Sequence, residues 1–451
     1  MSSLNKIIII GSGGREQAMA FKLAQSSEVS LIYVCPDPKT PFPSEKIKGL
    51  DLNPNHFEEL GHYALEEEID LVVVGPEVPL VNGVVDFLER KGISVLGPSK
   101  EGAKLEGSKH FSKQLMKESE IPTAKFKNAS SYEEGLEYLE KVNESGLVDL
   151  GVVIKADKLA AGKGVFLCNS ENEARDVLFK IMKDESFVIK DNKVVIEEKL
   201  FGKEISAFAL CDGDSFLTLG FARDYKRLKD CDEGPNTGGM GGFSNPELVN
   251  EILQKEIEEN VFSKTLNSLK SRGIHYKGIL FAGLMIDPSG VVNVLEFNVR
   301  MGDPEAQILL PLVKEDLFPL FKAAADGELL ELIKRRPPSL KNKVHMKSES
   351  SVHVVMVSEG YPILEKGRNM KLEQPISFPQ VNQRKEALTY CFLSGAMKEN
   401  EGNRLLNSSG RVLGITGLGL NLKEARERAY ERVHQTNFEG AHYRSDIALN
   451  L

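Results

Sequence analysis

The sequence predicts a multidomain protein of the α/β and α+β classes, with a parallel α/β domain at its N-terminus. The length of 451 residues is too great for one ordinary domain, so about two to four are expected. Strands and helices alternate from Lys6 to about Lys104, which is typical of a parallel sheet covered by helices. The composition shifts at about Gly327, ahead of the linker Arg336-Pro337-Pro338-Ser339. We therefore predict domains at residues 1–104, 105–327 and 328–451, the last of mixed α+β class.

Composition narrows the class of function. Hydrophobic residues make up 41% of the chain and charged residues 27%, which is ordinary for a globular protein. The net charge of −9 argues against a general nucleic-acid binder, and no apolar run approaches the length of a membrane span. The five scattered cysteines form no C-x-x-C pair, which predicts free thiols in a reducing compartment. We expect a cytoplasmic protein that acts on small molecules.

Glycine-containing loops follow two of the predicted strands in the N-terminal domain. The predicted elements are the strands Lys6–Ile10, Val29–Cys35, Ile69–Val74 and Gly92–Leu96, and the helices Arg15–Gln25, Asn55–Glu67 and Leu80–Lys91. The loops Gly11–Glu16 and Gly75–Glu77 are expected at the carboxyl ends of the strands, where such sheets bind ligands. Glu16 stands where the dinucleotide fingerprint needs its third glycine. These loops predict a site for a phosphorylated small molecule, and the alternative is a plain tight turn.

The middle of the chain carries lysines and a glycine loop that suit phosphates. Helices are predicted from about Leu105 to Glu118, from Ser130 to about Val142 and after Ser170, with strands at Val152–Ala156 and Val194–Leu200. Lys155 lies inside an apolar strand, where a lysine is costly unless it is paired or faces a phosphate. The loop Leu159–Val165 lacks the Walker spacing but can lie over phosphates. Five glycines among the nine residues of Gly234–Gly242 indicate a backbone loop that approaches an anion closely.

A predicted β-hairpin, Gly278–Ile286 and Val291–Phe297, ends in a cluster of polar residues. Glu296 and Asn298 are two apart, so in a strand both side chains point to the same face. A carboxylate beside an amide oxygen suits a hard cation such as Mg²⁺. Arg300 follows at once, and the alternative is the solvated end of an edge strand. Together with the lysines and glycine loops, this pair predicts an ATP site.

These motifs resemble the phosphoribosylamine–glycine ligases, a family of ATP-grasp enzymes in de novo purine synthesis. The matching segments are GSGGRE at Gly11–Glu16, VGPEVPLVNGVV at Val74–Val85, LEGSK at Leu105–Lys109, VIKADKLAAGKGV at Val153–Val165, GPNTGGMG at Gly234–Gly241, GLMID at Gly283–Asp287 and EFNVRMGDPE at Glu296–Glu305. The resemblance spans essentially the whole chain. It implies an N-terminal pre-ATP-grasp domain and an ATP-grasp domain over 105–327, with a small lid subdomain at about 122–196.

The resemblance also implies a role for particular residues. Glu296 and Asn298 would bind Mg²⁺ or Mn²⁺. The residues implied for ATP are Lys109, Lys155, Ala161, Gly162, Lys163, Gly164, Glu197, Glu198, Leu200 and Glu204. Those implied for substrate are Gly13, Gly14, Arg15, Glu77, Pro79, Lys226, Asn236, Gly238, Arg300 and Asp303. Among all of these, Lys155, Asn236, Arg300 and Asp303 would be catalytic.

The reaction that the resemblance implies proceeds through an acyl phosphate. ATP would phosphorylate the carboxylate of glycine, and the amine of 5-phosphoribosylamine would then displace the phosphate. Several positions depart from the family pattern, mostly toward the substrate pockets: Gln17, residues 35–39, Lys158, Tyr225 and Leu393. Two alternatives therefore stay open, a related ligase with another acid or amine and a silent ATP-binding scaffold. A monomer is expected, with a weak dimer as the alternative.

In the C-terminal domain, strands are predicted at Val352–Val357, Thr389–Leu393 and Arg411–Leu418, with a helix at Leu422–Gln435. His353 alternates with valines along the first of these strands. It is predicted to be a hydrogen-bonded residue of the sheet and not a ligand.

Overall fold

The computed structural model describes residues 4–144, 151–159, 164–185, 187, 189–363, 369–378, 388–399 and 404–449. In the N-terminal unit a parallel sheet of order β3-β2-β1-β4-β5 is covered by helices. Its elements are β1 (Asn5–Ile10), α1 (Gly14–Leu23), β2 (Val29–Cys35), β3 (Ile47–Gly49), α2 (Phe57–Glu66), β4 (Leu71–Val74), α3 (Glu77–Asn82), α4 (Val84–Arg90) and β5 (Val95–Leu96).

The central strand of this sheet is buried on both faces. Ile7 and Ile9 belong to one apolar core and Ile8 and Ile10 to another. This explains the run of isoleucines in β1, since a parallel strand between two helical layers has no solvated side. Both glycine loops leave the carboxyl ends of β1 and β4, as predicted.

The middle of the chain forms a small sheet and the first part of a large one. Its elements are α5 (Lys104–Gly107), α6 (Lys109–Glu118), β6 (Phe126–Ala129), α7 (Tyr132–Glu144), β7 (Val152–Ala156), β8 (Val165–Cys168), α8 (Glu171–Met182), β9 (Val194–Glu198), β10 (Lys203–Asp212), β11 (Phe216–Asp224), β12 (Arg227–Lys229), β13 (Glu233–Asn236), β14 (Gly241–Ser244), α9 (Glu251–Ile257), α10 (Lys264–Ser271), β15 (Lys277–Ile286), β16 (Val292–Asn298), α11 (Glu305–Leu309) and α12 (Leu317–Asp326). The small sheet has the order β6-β9-β7-β8.

The C-terminal part of the chain completes the large sheet. Its elements are α13 (Leu329–Lys334), β17 (Ser350–Val357), β18 (Pro375–Ile376), β19 (Thr389–Leu393), β20 (Ala396–Lys398), β21 (Leu405–Asn407), β22 (Arg411–Gly419) and α14 (Leu422–Gln435). The large sheet has eight strands in the order β16-β15-β10-β11-β14-β17-β22-β19. β14 and β17 pair antiparallel, so this sheet continues across the predicted boundary at 327/328.

Three local predictions need correction. The single helix expected over Leu80–Lys91 is two helices, because Gly83 adopts a left-handed conformation with φ of 90° and ends the first one. The single helix expected from Leu105 is also broken, at Ser108, whose extended backbone caps α6. The helix expected from Ser130 begins later, at Tyr132, with Ser131 as its cap, since the Ser131 hydroxyl accepts from the Glu134 N–H.

None of the helices in the described ranges combines the length and the apolar character that a membrane span requires. The predicted hairpin is confirmed as β15 and β16, whose strands pair antiparallel from Phe281 and Asn298 to Ile286 and Val292. The Asp287 carboxylate accepts from the N–H groups of Ser289 and Val291 and so closes the turn.

Candidate active site

The predicted metal pair lies at the end of β16. Asn298 is buried, and it lies two residues after Glu296 on the same strand. Mg²⁺ takes only one or two oxygen ligands from protein and keeps water or phosphate in its other positions. A carboxylate beside an amide therefore fits such an ion, although no group of three or more His, Cys, Asp or Glu side chains suited to a metal occurs in the described ranges.

Three lysines surround Glu296. Burial opposes ionisation of this carboxyl, but Lys226, Lys155 and Lys109 together hold its pKa below the usual range. Lys226 Nζ also lies 2.9 Å from Glu204 Oε2, and that lysine lowers the pKa of Glu204. Positive charge on several sides of one carboxylate is the electrostatic setting that a metal-bound triphosphate needs.

Lys155 belongs to a buried ion triplet under this surface. Glu197 lies between two lysines, with distances of 3.0 Å to Lys155 Nζ and 3.1 Å to Lys113 Nζ. Lys155 Nζ also donates to the Leu295 carbonyl at 3.0 Å. Burial lowers the pKa of Lys113 to about 8, against the opposing charge of Glu197. Lys155, the lysine within the apolar strand β7, is thus paired, which is one of the two arrangements that the sequence predicted.

Sequence reasoning missed Lys113, although a signal for it exists. Lys113 lies on the face of α6 that also buries Ser112, Leu115 and Met116. A lysine on the buried face of an amphipathic helix needs a partner of opposite charge. The pairing with Glu197 also means that this carboxylate is already held by two cations.

The remaining residues implied for ATP border the small sheet. Glu198 ends β9 and accepts from the Lys125 N–H at 2.8 Å, and the half-buried Leu200 follows it. Lys109 is the first residue of α6, and the Gly164 carbonyl accepts from the Ala156 N–H at 2.9 Å. Ala161, Gly162 and Lys163 lie outside the described residues.

The first glycine loop is closed by a glutamate. The Glu16 carboxylate accepts from the Gly13 N–H at 2.8 Å and lies 2.6 Å from Arg15 Nε. A Cβ atom on Gly11 or Gly75 would collide with the Glu16 side chain, so this side chain joins the loops after β1 and β4. Glu16 and Arg15 are 2% and 7% exposed, which excludes the simple exposed turn. Glu16 is a second residue of the site that sequence reasoning missed.

Arg300 connects the metal pair to the N-terminal unit. Its guanidinium donates to Glu77 at 3.1 Å, to Glu106 at 2.7 Å and to Asn298 Oδ1 at 3.2 Å. Burial opposes the charge of Arg300, but Glu106 and Glu77 raise its pKa. In turn, Arg300 and Arg15 lower the pKa of Glu77 against the effect of burial. Glu106, which supplies the shortest of these bonds, was not predicted.

Asp303 lies where all three units meet. Its carboxylate accepts from Gln307 at 2.8 Å and from Arg411 at 2.8 Å. A Cβ atom on Gly14 would lie within 3 Å of both Gln307 and Ser394, so the N-terminal loop packs tightly against this corner. A cavity of about 320 Å³ opens here, lined by residues that include Gly13, Asp303, Tyr361, Ser394 and Arg411.

The structure thus brings most of the predicted residues into two adjoining groups. One surrounds Glu296 and contains the lysines; the other surrounds Arg300 and Asp303 and contains Glu77, Arg15 and Gly14. Gly238 adjoins the second group through Arg411. Asn236 is half-buried in β13, opposite Arg227, and Pro79 is buried in α3. Within the described ranges, no side-chain hydrogen bond ties Asn236 or Pro79 to either group.

Three parts of the chain match three parts of one protein family. Residues 5–106 match "Phosphoribosylglycinamide synthetase, N domain", residues 107–306 match its "ATP-grasp (A) domain" and residues 351–450 match its "C domain". The chain belongs to the phosphoribosylglycinamide synthetase family. The family and the three-part fold predicted from the sequence motifs are therefore confirmed, whereas the roles of individual residues remain predictions.

Full-length relatives agree with this family. The phosphoribosylamine–glycine ligase of Caldanaerobacter subterraneus is 41% identical over 444 residues, which cover 98% of this chain and 99% of that protein. The corresponding protein of Clostridium acetobutylicum is 39% identical and covers 98% of this chain and 99% of its own length. The crystal structure of phosphoribosylamine–glycine ligase from Thermotoga maritima superposes with a TM-score of 0.78 at 32% identity, covering 98% of this chain and 100% of that one.

A more distant likeness concerns the fold alone. A biotin carboxylase structure from Campylobacter jejuni has a TM-score of 0.71 at 13% identity, covering 99% of this chain and 94% of that one. The phosphoribosylglycinamide synthetase family thus shares its architecture with other enzymes, and the side chains of the cleft must distinguish its chemistry.

Within this member of the phosphoribosylglycinamide synthetase family, several departures from the family pattern meet at one place. The Gln17 amide donates to the Thr40 hydroxyl at 3.1 Å and accepts from the Leu393 N–H at 2.7 Å. Thr40 follows the altered segment 35–39, and Leu393 is itself a departure. Gln17 is buried, so these substitutions form one polar contact between the N-terminal and C-terminal units.

Two other predictions for this family member can be placed. The Tyr225 hydroxyl accepts from the Ala448 N–H at 3.2 Å, which ties the segment before Lys226 to the end of the chain. His353 is fully buried with Nδ1 2.8 Å from the Thr416 hydroxyl, and burial lowers its pKa to about 3. His353 is therefore hydrogen-bonded within the sheet through Nδ1, as predicted, whereas its Nε2 makes no hydrogen bond within the described ranges.

Proposed function

We propose that the chain is a phosphoribosylamine–glycine ligase, which joins glycine to 5-phosphoribosylamine with conversion of ATP to ADP and phosphate in de novo purine synthesis. One observation carries the proposal beyond family membership: Glu296 lies beside Asn298 and within the field of Lys109, Lys155 and Lys226. Such a cluster neutralises a triphosphate and holds its metal ion, which is what phosphoryl transfer requires of a protein.

The nucleotide half of the cleft would act by holding charge in place. Lys109 and Lys155 would contact the phosphates of ATP, and Glu204 would accept from the ribose. Mg²⁺ or Mn²⁺ held by Glu296 and Asn298 would neutralise the phosphate oxygens. Lys113 and Lys155 are held in place by ion pairs to Glu197, so this part of the cleft, which we call its floor, is fixed by contacts within the chain.

The substrate half of the cleft would align the reacting groups. A glycine carboxylate oxygen attacks the terminal phosphorus of ATP, and ADP leaves. The amine of 5-phosphoribosylamine then attacks the carbonyl carbon of the glycyl phosphate, and phosphate leaves as the amide forms. Four bonds to Glu77, Glu106, Asn298 and Met301 occupy four of the five N–H donors of Arg300, which leaves one for a substrate oxygen.

The metal ion, the other ligands, the assembly state and the cellular compartment also belong to the proposal. The metal ion is Mg²⁺ or Mn²⁺, the other ligands are small molecules, and the chain acts as a monomer or a weak dimer in the cytoplasm.

The decisive experiment measures ADP release from ATP by the purified protein with Mg²⁺ and freshly made 5-phosphoribosylamine, with and without glycine. We expect release that requires both glycine and the amine. Release that requires a different acid or amine would favour a related ligase. ATP binding without release under any pairing would favour a silent scaffold.

Glu296→Gln tests the metal assignment within the same assay. The variant keeps the size of the side chain but loses its charge, so we expect turnover to fall by about 100-fold or more while the protein stays folded. Glu251→Gln, which changes an exposed carboxylate of α9, is the matched control. Turnover of Glu296→Gln within twofold of the control would refute the assignment.

A further inference from the structure

Arg411 reaches from the C-terminal unit into two loops of the ATP-grasp unit. It is the first residue of β22, and Nη1 donates to the Gly238 carbonyl at 2.7 Å and to the Asp303 carbonyl at 2.8 Å. Its Nη2 donates to Asp303 Oδ2 at 2.8 Å. One guanidinium therefore fixes the glycine loop and the Asp303 loop relative to each other.

The glycine loop is held on both sides of one residue. The Gly238 N–H donates to the Tyr361 hydroxyl at 3.0 Å, while the Gly238 carbonyl accepts from Arg411. A Cβ atom on Gly238 would lie 3.2 Å from Arg411 Cζ, so the guanidinium packs directly against the loop. Both residues that hold this glycine belong to the C-terminal unit.

Like Gly238, the Asp303 carboxylate is hydrogen-bonded on both sides. Oδ1 accepts from Gln307 and Oδ2 from Arg411, so both oxygens have fixed donors. The Gln307 carbonyl accepts from Thr416, which lies on the same strand as Arg411. β22 thus orients Asp303 directly through one residue and indirectly through another.

We propose that Arg411 is a positioning residue of the ligase, which holds the Asp303 carboxylate and the Gly238 backbone in the arrangement that the acid–amine half of the reaction requires. This inference rests on the proposed ligase function. It assigns the C-terminal unit a direct part in building the cleft, since Arg411, Tyr361 and Asp303 line the same cavity.

Charge and geometry argue against a role limited to stability. Arg411 is about one-fifth exposed, with 21% of its side-chain surface accessible, so it lies at the cleft and not in the core. The nucleotide group around Glu296 has its own cations, Lys109, Lys155 and Lys226. Loss of Arg411 therefore disturbs the acid–amine half of the cleft and spares the binding of ATP.

The test compares Arg411→Met and Arg411→Lys with Arg336→Met. Arg336 also forms a two-point ion pair, with Glu315. Its other bonded partners are the Leu340 and Lys343 carbonyls, and none of these residues belongs to the cleft. Arg336→Met therefore controls for the loss of an arginine–carboxylate pair. We expect Arg411→Met to lower kcat/KM for glycine and for 5-phosphoribosylamine by about 100-fold, since small misplacement of reacting groups costs that much. The Kd for ATP with Mg²⁺ should change by less than about twofold, and Arg411→Lys should recover part of the loss.

A second readout does not depend on turnover. Hydrogen–deuterium exchange should quicken at the amides around Gly238 and Asp303 in Arg411→Met, and not in Arg336→Met. Unchanged exchange there, or an equal loss of ATP affinity and turnover, would overturn the inference. The wild-type chain could show no ligation while exchange at the Gly238 and Asp303 amides still quickens in Arg411→Met. The proposed ligase function would then fail, but Arg411 would still be shown to hold these two loops in place.

The double variant Asp303→Asn with Arg411→Met decides whether the arginine acts through Asp303. If it does, the combined loss is smaller than the product of the two single losses, and any loss beyond the slower single variant comes from the Gly238 carbonyl that Arg411 also holds. Multiplied losses would overturn the inference, because they would show two independent contributions. If Arg411→Met does not fold, Arg411→Lys replaces it in the double variant and in the single variant with which the double variant is compared.

Discussion

At the scale of single residues, the charges of the cleft are held in groups of three. Glu197 lies between Lys113 and Lys155, and Arg300 lies between Glu77 and Glu106. The two groups have opposite net charge, since the first has one excess cation and the second one excess carboxylate. Removing the central member of such a group, Glu197 or Arg300, leaves like charges without their partner, which costs about 3–5 kcal/mol.

Gln17 provides a test of the polar contact between the N-terminal and C-terminal units. Gln17→Leu conserves volume but leaves the Leu393 N–H and the Thr40 hydroxyl without their partner. We expect the free energy of unfolding to fall by about 1–3 kcal/mol, measured by urea denaturation. Gln17→His, which can still donate and accept, should lose less stability and change turnover only slightly. Equal stability of the Leu variant and the wild type would show that the contact contributes nothing.

Glu305 predicts a pH dependence of stability. Burial, together with the nearby Asp224 carboxylate, raises the pKa of Glu305 from 4.5 to about 7. Because the folded state then holds a proton that the unfolded state loses, this group makes stability fall as pH rises from 4.5 to 7. Glu305→Gln should remove this contribution, so its unfolding free energy should rise relative to wild type by up to about 3 kcal/mol between the two pH values.

Urea denaturation of both proteins at a series of pH values measures this difference. Glu251→Gln, in an exposed position, serves as the control for a lost carboxylate. A difference between Glu305→Gln and wild type that did not vary with pH would contradict the assigned protonation of Glu305.

At the scale of elements, the start of α6 and the end of β7 are fixed to each other. The Ser108 hydroxyl accepts from the Phe111 N–H at 3.2 Å and lies 3.1 Å from Asp157 Oδ1. Asp157 also accepts from the His110 N–H at 2.8 Å. Lys109 and Lys155, the two lysines predicted to contact phosphate, lie directly beside these bonds. The break in the helix at Ser108 thus ties the segment that carries Lys109 to Asp157, two residues after Lys155.

Ser108→Ala tests this junction. The change removes the cap of α6 and one partner of Asp157, so we expect a loss of about 1 kcal/mol in stability and a weaker Kd for ATP. Ser131→Ala removes the cap of α7, and among the described residues the Ser131 hydroxyl bonds only to the Glu134 N–H and to no residue of the cleft, so it is the matched control. Calorimetric titration with ATP should separate the two variants. Equal ATP affinity in both would show that the cap of α6 does not position Lys109.

The elements also show which parts of the site the sequence could predict. Glu296 and Asn298 are neighbours on one strand, so the two-residue period of a strand was enough to place them together. Lys155 was recognisable as an unusual charge in an apolar strand. The amphipathic pattern of α6 marks Lys113 as a buried lysine, but no local pattern identifies the partners of Lys113, Glu106 and Arg411, which are remote in sequence. The helix breaks at Gly83 and Ser108 depend on single backbone conformations that periodicity does not reveal.

At the scale of the whole molecule, one sheet joins the ATP-grasp and C-terminal units. β14 pairs with β11 on one side and with β17 on the other. Phe243 of β14 packs into the apolar core formed by β17, β22 and α14. The motifs predicted three units correctly, but they carried no information on this pairing, because each strand alone is compatible with an edge position.

A chain that ends at residue 327 tests the unity of the sheet. It would expose the β14 edge and the apolar face around Phe243, so we expect aggregation or a broad, early thermal transition. The complete chain should unfold the two units together. Calorimetry of both proteins measures this, and a truncated chain that melts as sharply and at the same temperature as the full chain would contradict the expectation.

The ion triplet of Lys113, Glu197 and Lys155 has a consequence for ionic strength. These side chains are at most 7% exposed, whereas Lys226 and Glu204 are 46% and 41% exposed at the mouth of the cleft. Dissolved salt screens exposed charges over about 8–10 Å and hardly reaches buried ones. If Lys226 and Glu204 border the ATP site as proposed, the attraction that first brings ATP to the cleft should therefore weaken as salt is added, whereas the buried ion pairs below it should not. Added salt should lower the association rate constant of ATP far more than it raises the dissociation rate constant.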